Sequence, residues 1–372
     1  MTKKHGIIVA RTTAILVAAI ASASAAPNNA AFNPLQVDMA AVNSKAGNFL
    51  GAIEITVTNT SREVVRVPKW ELPSDFPESR QFQVTRNGKP IAYEGMLVKR
   101  GLPQAGDFVV LRPNQSIKTV VDLSSSYDLS VTGNYDVTLS TRLQHASLSS
   151  GALLHTDRGT PMQLRSRSMR LWVDGSDQLG ATMKADRAGK GKPGSGGGTV
   201  VNGISYVGCS TTQIDTLGTA VGAARNYSEN AKNYLASGST GPRYTTWFGA
   251  YSSSRYNSVK QNFTAIDAAL DQSGGQIKVN CGCKQSYYAY VYPNRPYEIF
   301  VCRAFWNAPV TGTDSKAGTL IHETSHFDVV AGTDDVVYGQ TGAKNLALSD
   351  PNSAINNADS HEYFGENTPQ QN

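Results

Sequence analysis

His322 and His326 lie four residues apart, with Glu323 directly after the first, in the string His322-Glu323-Thr324-Ser325-His326. On a helix, residues at i and i+4 share a face, so this spacing offers two imidazoles to a single ion. Neutral imidazole nitrogens suit Zn2+, and the carboxylate stands beside the coordination position they leave open. Zinc brings the pKa of water down to ~7, and a neighbouring carboxylate can then take the proton. The pattern reads as a hydrolytic site with Glu323 as its general base.

Two imidazoles leave such a site one protein ligand short. A metzincin arrangement requires Gly at 329 and His at 332, where this chain has Val329 and Gly332. A glutamate from a following helix is not available either, because no Glu occurs between Glu323 and Glu362. Downstream of the helix the chain instead runs Gly332-Thr333-Asp334-Asp335-Val336-Val337-Tyr338-Gly339, a glycine-bounded turn able to fold an aspartate and a tyrosine back against the helix. Two histidines and one aspartate make a borderline donor set that fits catalytic zinc better than Ca2+ or Mg2+. Asp328, at the helix end, reads as a solvated group or a support for a ligand. Nearer the C-terminus, Asp359 and Glu362 stand three apart in a segment whose apolar positions Ala354, Ile355, Ala358 and Tyr363 mark it as helical. Like charges on one helix face gain nothing structurally, so a cationic partner is expected for them.

Periodicity supplies the scaffold for these groups. Asp314 is the expected N-cap of a helix that begins near Ser315 and carries both histidines. Upstream, Ile214, Leu217, Val221, Ala224, Ala231 and Leu235 keep one helical face apolar, and Tyr256, Val259, Phe263, Ile266 and Leu270 do the same for a second helix. Candidate strands at 276–280, 287–291 and 298–301 come next. Residues 27–178 differ in character: apolar and polar residues alternate at 53–57, 64–67 and 135–139, and Asn87-Gly88 is a hairpin signal. That half is expected to be an all-β, immunoglobulin-like sandwich. Between the halves, 184–198 lacks apolar residues able to pack, and reads as a flexible, protease-accessible linker.

Apolar residues at 40% and charged residues at 17% exclude a globally disordered chain, and 372 residues accommodate two domains. Lys3, Lys4 and Arg11 accompany an apolar run at 14–21 and an A-x-A site at Ala23-Ser24-Ala25, so 1–25 reads as a signal peptide and the protein as secreted. No later segment is long and apolar enough to span a bilayer, and no membrane partner is expected. All four cysteines, Cys209, Cys281, Cys283 and Cys302, fall in the C-terminal half, as suits export to an oxidising compartment. Cys281 and Cys283 are too close to bridge each other comfortably, so each is expected to pair with Cys209 or Cys302. Up to Gly198, 23 Lys and Arg stand against 15 Asp and Glu; beyond it, 11 stand against 14. A basic half and an acidic half favour docking on each other. Without a Lys/Arg-dense stripe interleaved with aromatics, nucleic acid is not an expected partner.

The string His-Glu-x-x-His followed by Gly-Thr-x-Asp-x-x-Tyr-Gly resembles the aspzincins, the deuterolysin and peptidyl-Lys metalloendopeptidase family, and maps without gaps onto 322–326 and 332–339. Tyr244-Thr245-Thr246-Trp247-Phe248-Gly249, Tyr290-Val291-Tyr292-Pro293 and Asn357-Ala358-Asp359 extend the similarity, which does not reach the β-rich half. The resemblance implies a mainly α, zincin-like catalytic domain with a small β region. It implies one Zn2+ held by His322, His326 and Asp335, with Glu323 as base and Tyr338 hydrogen-bonding the tetrahedral intermediate. It further implies bridges Cys209–Cys281 and Cys283–Cys302, and a pocket at Asp359 and Glu362 for lysine at P1′ of protein and peptide substrates. The expected multidomain plan is a signal peptide 1–25, a β-rich propeptide domain 26–183 acting as intramolecular inhibitor, an activation linker 184–198, and a catalytic domain 199–372. Lys184, Lys190 and Lys192 make the linker a substrate for its own enzyme, with cuts expected at Gly189/Lys190 or Gly191/Lys192. The rival expectation is a secreted binding protein whose β domain recognises a partner and whose zinc site is structural or inactive. Glu323 and Tyr338 weigh against it, since a structural site closes its fourth position with a protein ligand.

Overall fold

In the computed structural model, which describes residues 33–42, 51–157, 159–175 and 198–372, the alternating segments of the N-terminal half form strands whose inner faces share one apolar core. These are β1 (Leu35–Ala41), β2 (Ala52–Asn59), β3 (Val65–Pro68), β4 (Phe82–Arg86), β5 (Lys89–Pro90), β6 (Leu97–Lys99), β7 (Phe108–Leu111), β8 (Ser116–Asp122), β9 (Gly133–Arg142), β10 (Ser147–Leu148), β11 (Gln163–Arg165) and β12 (Met169–Val173). They pair as β1-β2-β8, as β10-β3-β7, and as β11-β9-β4-β5 with β12 also on β9. Every one of these pairs is antiparallel. Asn87 (φ 52) and Gly88 (φ 74) turn the chain between β4 and β5, the two positive φ values that a two-residue primed hairpin turn demands. The expected signal peptide and the linker residues Lys184, Lys190 and Lys192 lie outside the described residues.

The C-terminal half runs β13 (Thr199–Val201), β14 (Ile204–Val207), α1 (Thr211–Ala236), α2 (Pro242–Phe248), α3 (Ser253–Leu270), β15 (Lys278–Asn280), β16 (Ala289–Val291), β17 (Glu298–Val301), α4 (Arg303–Asn307), α5 (Lys316–His326), α6 (Gly339–Ser349), α7 (Pro351–Ala354) and α8 (Ala358–Glu366). Helix α1 opens with a capping box: Ser210 Oγ accepts from Gln213 N, and Gln213 Oε1 accepts from Ser210 N. Its Leu217, Val221, Ala224, Ala231 and Leu235 are buried, as are Tyr256, Val259, Phe263, Ile266 and Leu270 of α3, so both helical stripes enter a second core. Bridges Cys209–Cys281 and Cys283–Cys302 clip this core together in the expected pairing.

The sheet of this half has the order β13-β14-β15-β17-β16-β6. Its last strand comes from the N-terminal half: β6 lies antiparallel to β16 with Lys99 opposite Ala289, Val98 opposite Tyr290 and Leu97 opposite Val291. Asn33–Asn372 is accordingly one compact unit. Among the described residues no helix is long and apolar enough to cross a membrane.

The cap of α5 differs from expectation. Ser315, not Asp314, is the N-cap, its Oγ accepting from Gly318 N at 2.9 Å. The reason lies in α8, whose Glu366 accepts from Ser315 N, Ser315 Oγ and Asp314 N and so fixes the approach to the helix. Asp314 is turned out to φ 51, where its carboxylate accepts from Tyr363 OH at 2.7 Å. All residues from Lys316 to His326 are buried, because α5 packs on α1, α3 and α8 as well as on strands. A Cβ added at Gly318 would stand 2.1 Å from Glu366 Oε1. Gly318→Ala gains ~1 kcal/mol of helix propensity but overpacks that contact and loosens the Glu366 grip, a cost of ~1–3 kcal/mol. We expect a net loss, read as a lower urea midpoint; an unchanged or raised midpoint would show that Glu366 does not set the helix start.

Candidate active site

Because α5 is helical through His326, its two imidazoles emerge on one face, with ring centroids 4.8 Å apart. The turn after α5 brings Asp335 against them: Asp335 Oδ1 is 3.1 Å from His322 Nε2 and 3.5 Å from His326 Nε2. One donor atom from each of the three residues lies within 4.8 Å of the other two. His326 Nδ1 bonds the Thr333 carbonyl at 2.9 Å, which holds the proton on Nδ1 and leaves Nε2 bare. That Nε2 and both carboxylate oxygens of Glu323 are buried without a hydrogen-bond partner among the described residues. Buried polar atoms are rarely left so, and a divalent cation with a reactant water is the filling that this donor set fits.

Electrostatics follow from burial against neighbours. Burial pushes the Glu323 carboxyl up to about 7, although the nearby His322 and His326 pull it down, and a cation held by these donors would lower it in the same sense. Asp335 is buried too, yet the two imidazoles outweigh that and hold it below the usual carboxylate range. Asp334, the neighbour in the turn, does not join the cluster: it pairs with Arg80 at 3.4 Å. Asp328 is exposed.

Asp359 and Glu362 share a face of α8 and have two partners. Toward α5, Asp359 Oδ1 lies 2.8 Å and Glu362 Oε2 3.2 Å from His322 Nδ1, so they hold the imidazole from the side opposite Asp335, the kind of carboxylate support that ligating histidines commonly have. Away from it, Lys99 of β6 places its ammonium 2.6 Å from Glu362 Oε2, 3.7 Å from Asp359 Oδ1 and 3.6 Å from Asp314 Oδ1. The rings of Tyr288 and Tyr363 flank it at 5.1 and 5.9 Å. Burial alone would depress the Lys99 pKa, but the three carboxylates outweigh it and raise it well above the ordinary value.

Tyr338 is fixed at both ends. Its backbone N–H donates to Gln144 Oε1 and its carbonyl accepts from Gln144 Nε2, while its hydroxyl donates to the Val98 carbonyl at 2.9 Å. Lys99 and Gln144 carry no local signal in the sequence, because the groups they engage lie in the other half of the chain. Asn357 was visible only as part of a shared string. Its Oδ1 accepts from Val336 N and Val337 N, both at 3.1 Å, and so shapes the turn that carries Asp335 and Tyr338.

The chain is also similar to known proteins. The family described as lysine-specific metallo-endopeptidase, aspzincin type, matches residues 233–366. The chain is 42% identical over 324 residues to a protein of Aeromonas hydrophila named extracellular protease, covering 86% of this chain and 89% of that one. It is 34% identical over 327 residues to the peptidyl-Lys metalloendopeptidase of Grifola frondosa, covering 85% and 88%. With the enzyme of that name from Pleurotus ostreatus it shares 51% over 167 residues, 44% of this chain and 98% of that protein.

Because Asn357 is buried and satisfies two backbone donors of the turn, Asn357→Ala should let Asp335 drift. We expect zinc affinity to fall by ~10- to 100-fold, the usual cost of losing an outer support, measured by chelator competition. Unchanged affinity would remove Asn357 from the site.

Proposed function

This chain belongs to the aspzincin family of zinc metalloendopeptidases, and on that premise we propose that it is a secreted proenzyme that hydrolyses proteins on the N-terminal side of lysine. The observation that carries the proposal is Lys99, a lysine ammonium 1% exposed, buried against Glu362 and Asp359 beside the His322, His326 and Asp335 cluster. A site that takes a lysine there accepts the same side chain from a substrate.

In this reading His322, His326 and Asp335 hold Zn2+, which supplies Lewis acidity when bound. Water adds to the carbonyl that precedes lysine, and the C–N bond breaks. Glu323 takes the proton of the water and returns it to the departing amine. The Tyr338 hydroxyl donates to the carbonyl oxygen as negative charge develops on it. Glu362 and Asp359 receive the ammonium through charge-assisted hydrogen bonds, a point-charge geometry that suits lysine better than the planar fork of arginine.

The β-rich half then acts as a propeptide that covers the cleft. Its antiparallel sheets around one apolar core support an immunoglobulin-like sandwich. Residues 1–25 serve as the export signal, and the linker 184–198, with Lys184, Lys190 and Lys192, is the segment the enzyme cuts in itself.

A peptide-library digest by the secreted protein should show lysine at P1′ and stop when a chelator is added; absence of lysine enrichment would remove the specificity. Glu323→Ala should still bind one zinc but lose hydrolysis by ~10²-fold or more. In a protease-free preparation that variant should accumulate as the uncut chain 26–372. Normal processing of it would eliminate self-cleavage.

A further inference from the structure

Val98, the residue before Lys99, is held in a way that strand packing does not require. Its N–H donates to Asp335 Oδ2 at 3.0 Å, and its carbonyl accepts from the Tyr338 hydroxyl at 2.9 Å. The peptide unit that precedes a lysine is thus gripped by a residue of the metal cluster and by the donor that faces a developing oxyanion. On the far side the Lys99 carbonyl accepts from Tyr288 N at 3.0 Å, and β6 keeps its antiparallel register along β16. The Val98 side chain is buried together with Met96, Tyr287 and Cys302, with Tyr290 packed against them.

An exposed sheet edge needs covering, and that need explains why some strand lies on β16. It does not explain a buried lysine in the acidic pocket, nor a carbonyl aimed at Tyr338. Both are explained if the strand copies a substrate. We propose that Leu97–Lys99 is a built-in substrate mimic whose Val98–Lys99 peptide bond occupies the position of the bond to be hydrolysed. Peptide substrates take the same edge of β16 as an added antiparallel strand. The residue before their lysine is apolar and sits against Tyr287 and Tyr290. This inference rests on the lysine-specific endopeptidase reading and adds to it the strand register, the preceding subsite and the means of inhibition.

The test uses the full chain, zinc-loaded, with Glu323→Ala so that nothing is cut. The probe is a fluorescent peptide with the sequence of residues 94–102. Glu323→Ala/Lys99→Met should bind it at least tenfold more tightly than Glu323→Ala alone, and a probe whose lysine is replaced by methionine should lose the gain. Equal binding of the probe by the two proteins overturns the mimic. A second measurement does not depend on the folding of the double variant: wild-type protein after its own maturation should cut the unlabelled peptide between its valine and lysine. If it leaves that peptide intact while cutting other substrates before lysine, the mimic is wrong and the endopeptidase reading stands. If it cuts no substrate before lysine, the endopeptidase reading itself has failed.

Discussion

Taking an ammonium group out of water costs several kcal/mol even after the protein relaxes, and Lys99 incurs that cost almost in full at 1% exposure. Glu362, Asp359 and Asp314 offset it, but only while β6 lies on β16. The carboxylates are in the same position: Asp359 and Glu362 are buried, and without the ammonium two like charges face each other in a site of low dielectric. The union of the two halves therefore depends on a charge balance that neither half achieves alone. Other contacts across the boundary share the same polarity. Arg80 pairs with Asp334 and Arg142 with Asp350, so among the described residues each ion pair between the halves takes its cation from the N-terminal side. The sign of these ion pairs matches the opposite charge balances of the two sequences.

The same pair of carboxylates couples two properties that would otherwise be separate. Asp359 offers Oδ1 to His322 and to Lys99, and accepts the Gly339 amide on Oδ2 at 2.6 Å. That amide begins α6, directly after Tyr338. One side chain consequently links the imidazole face, the Lys99 ammonium and the end of the turn that carries the tyrosine. Substitution at Asp359 cannot change the surroundings of the Lys99 ammonium without also disturbing His322, which separates it from Asp314, whose carboxylate meets the ammonium and Tyr363.

The chemistry was legible in the sequence wherever local spacing dictates it. His322, Glu323 and His326 are fixed relative to one another by helix geometry, and the turn from Gly332 to Gly339 is short enough to bring an aspartate to the same face, but the family resemblance, not spacing, selects Asp335 over Asp334. The stripes of α1 and α3 are likewise local. Two kinds of feature were not legible. The cap of α5 depends on Glu366, about fifty residues later in the chain, so Asp314 and Ser315 could not be ranked from their neighbourhood alone. The pairing of β6 with β16 joins residues near 98 to residues near 290, and no periodicity within either segment records the other. Lys99 belongs to this second kind: its role is created by docking, and its own sequence context describes only a strand.

Docking also decides what a cut in the linker can and cannot do. None of the hydrogen bonds or ion pairs that hold β6, Lys99, Gln144 or Arg80 on the C-terminal half involves residues 184–198, the expected linker. Breaking the chain there leaves each of those contacts in place. A covalent connection keeps two bodies at an effective concentration, which for a short flexible linker is in the millimolar range. Once it is gone, occupancy of the cleft is set by the affinity of the noncovalent complex and by dilution. A half held by a buried ammonium, a strand pairing and a bidentate glutamine clamp does not leave merely because it has become free to. On the proposed activation route, the covalent event and the opening of the site are therefore physically distinct steps, and the second is governed by the Lys99 charge balance that joins the two halves.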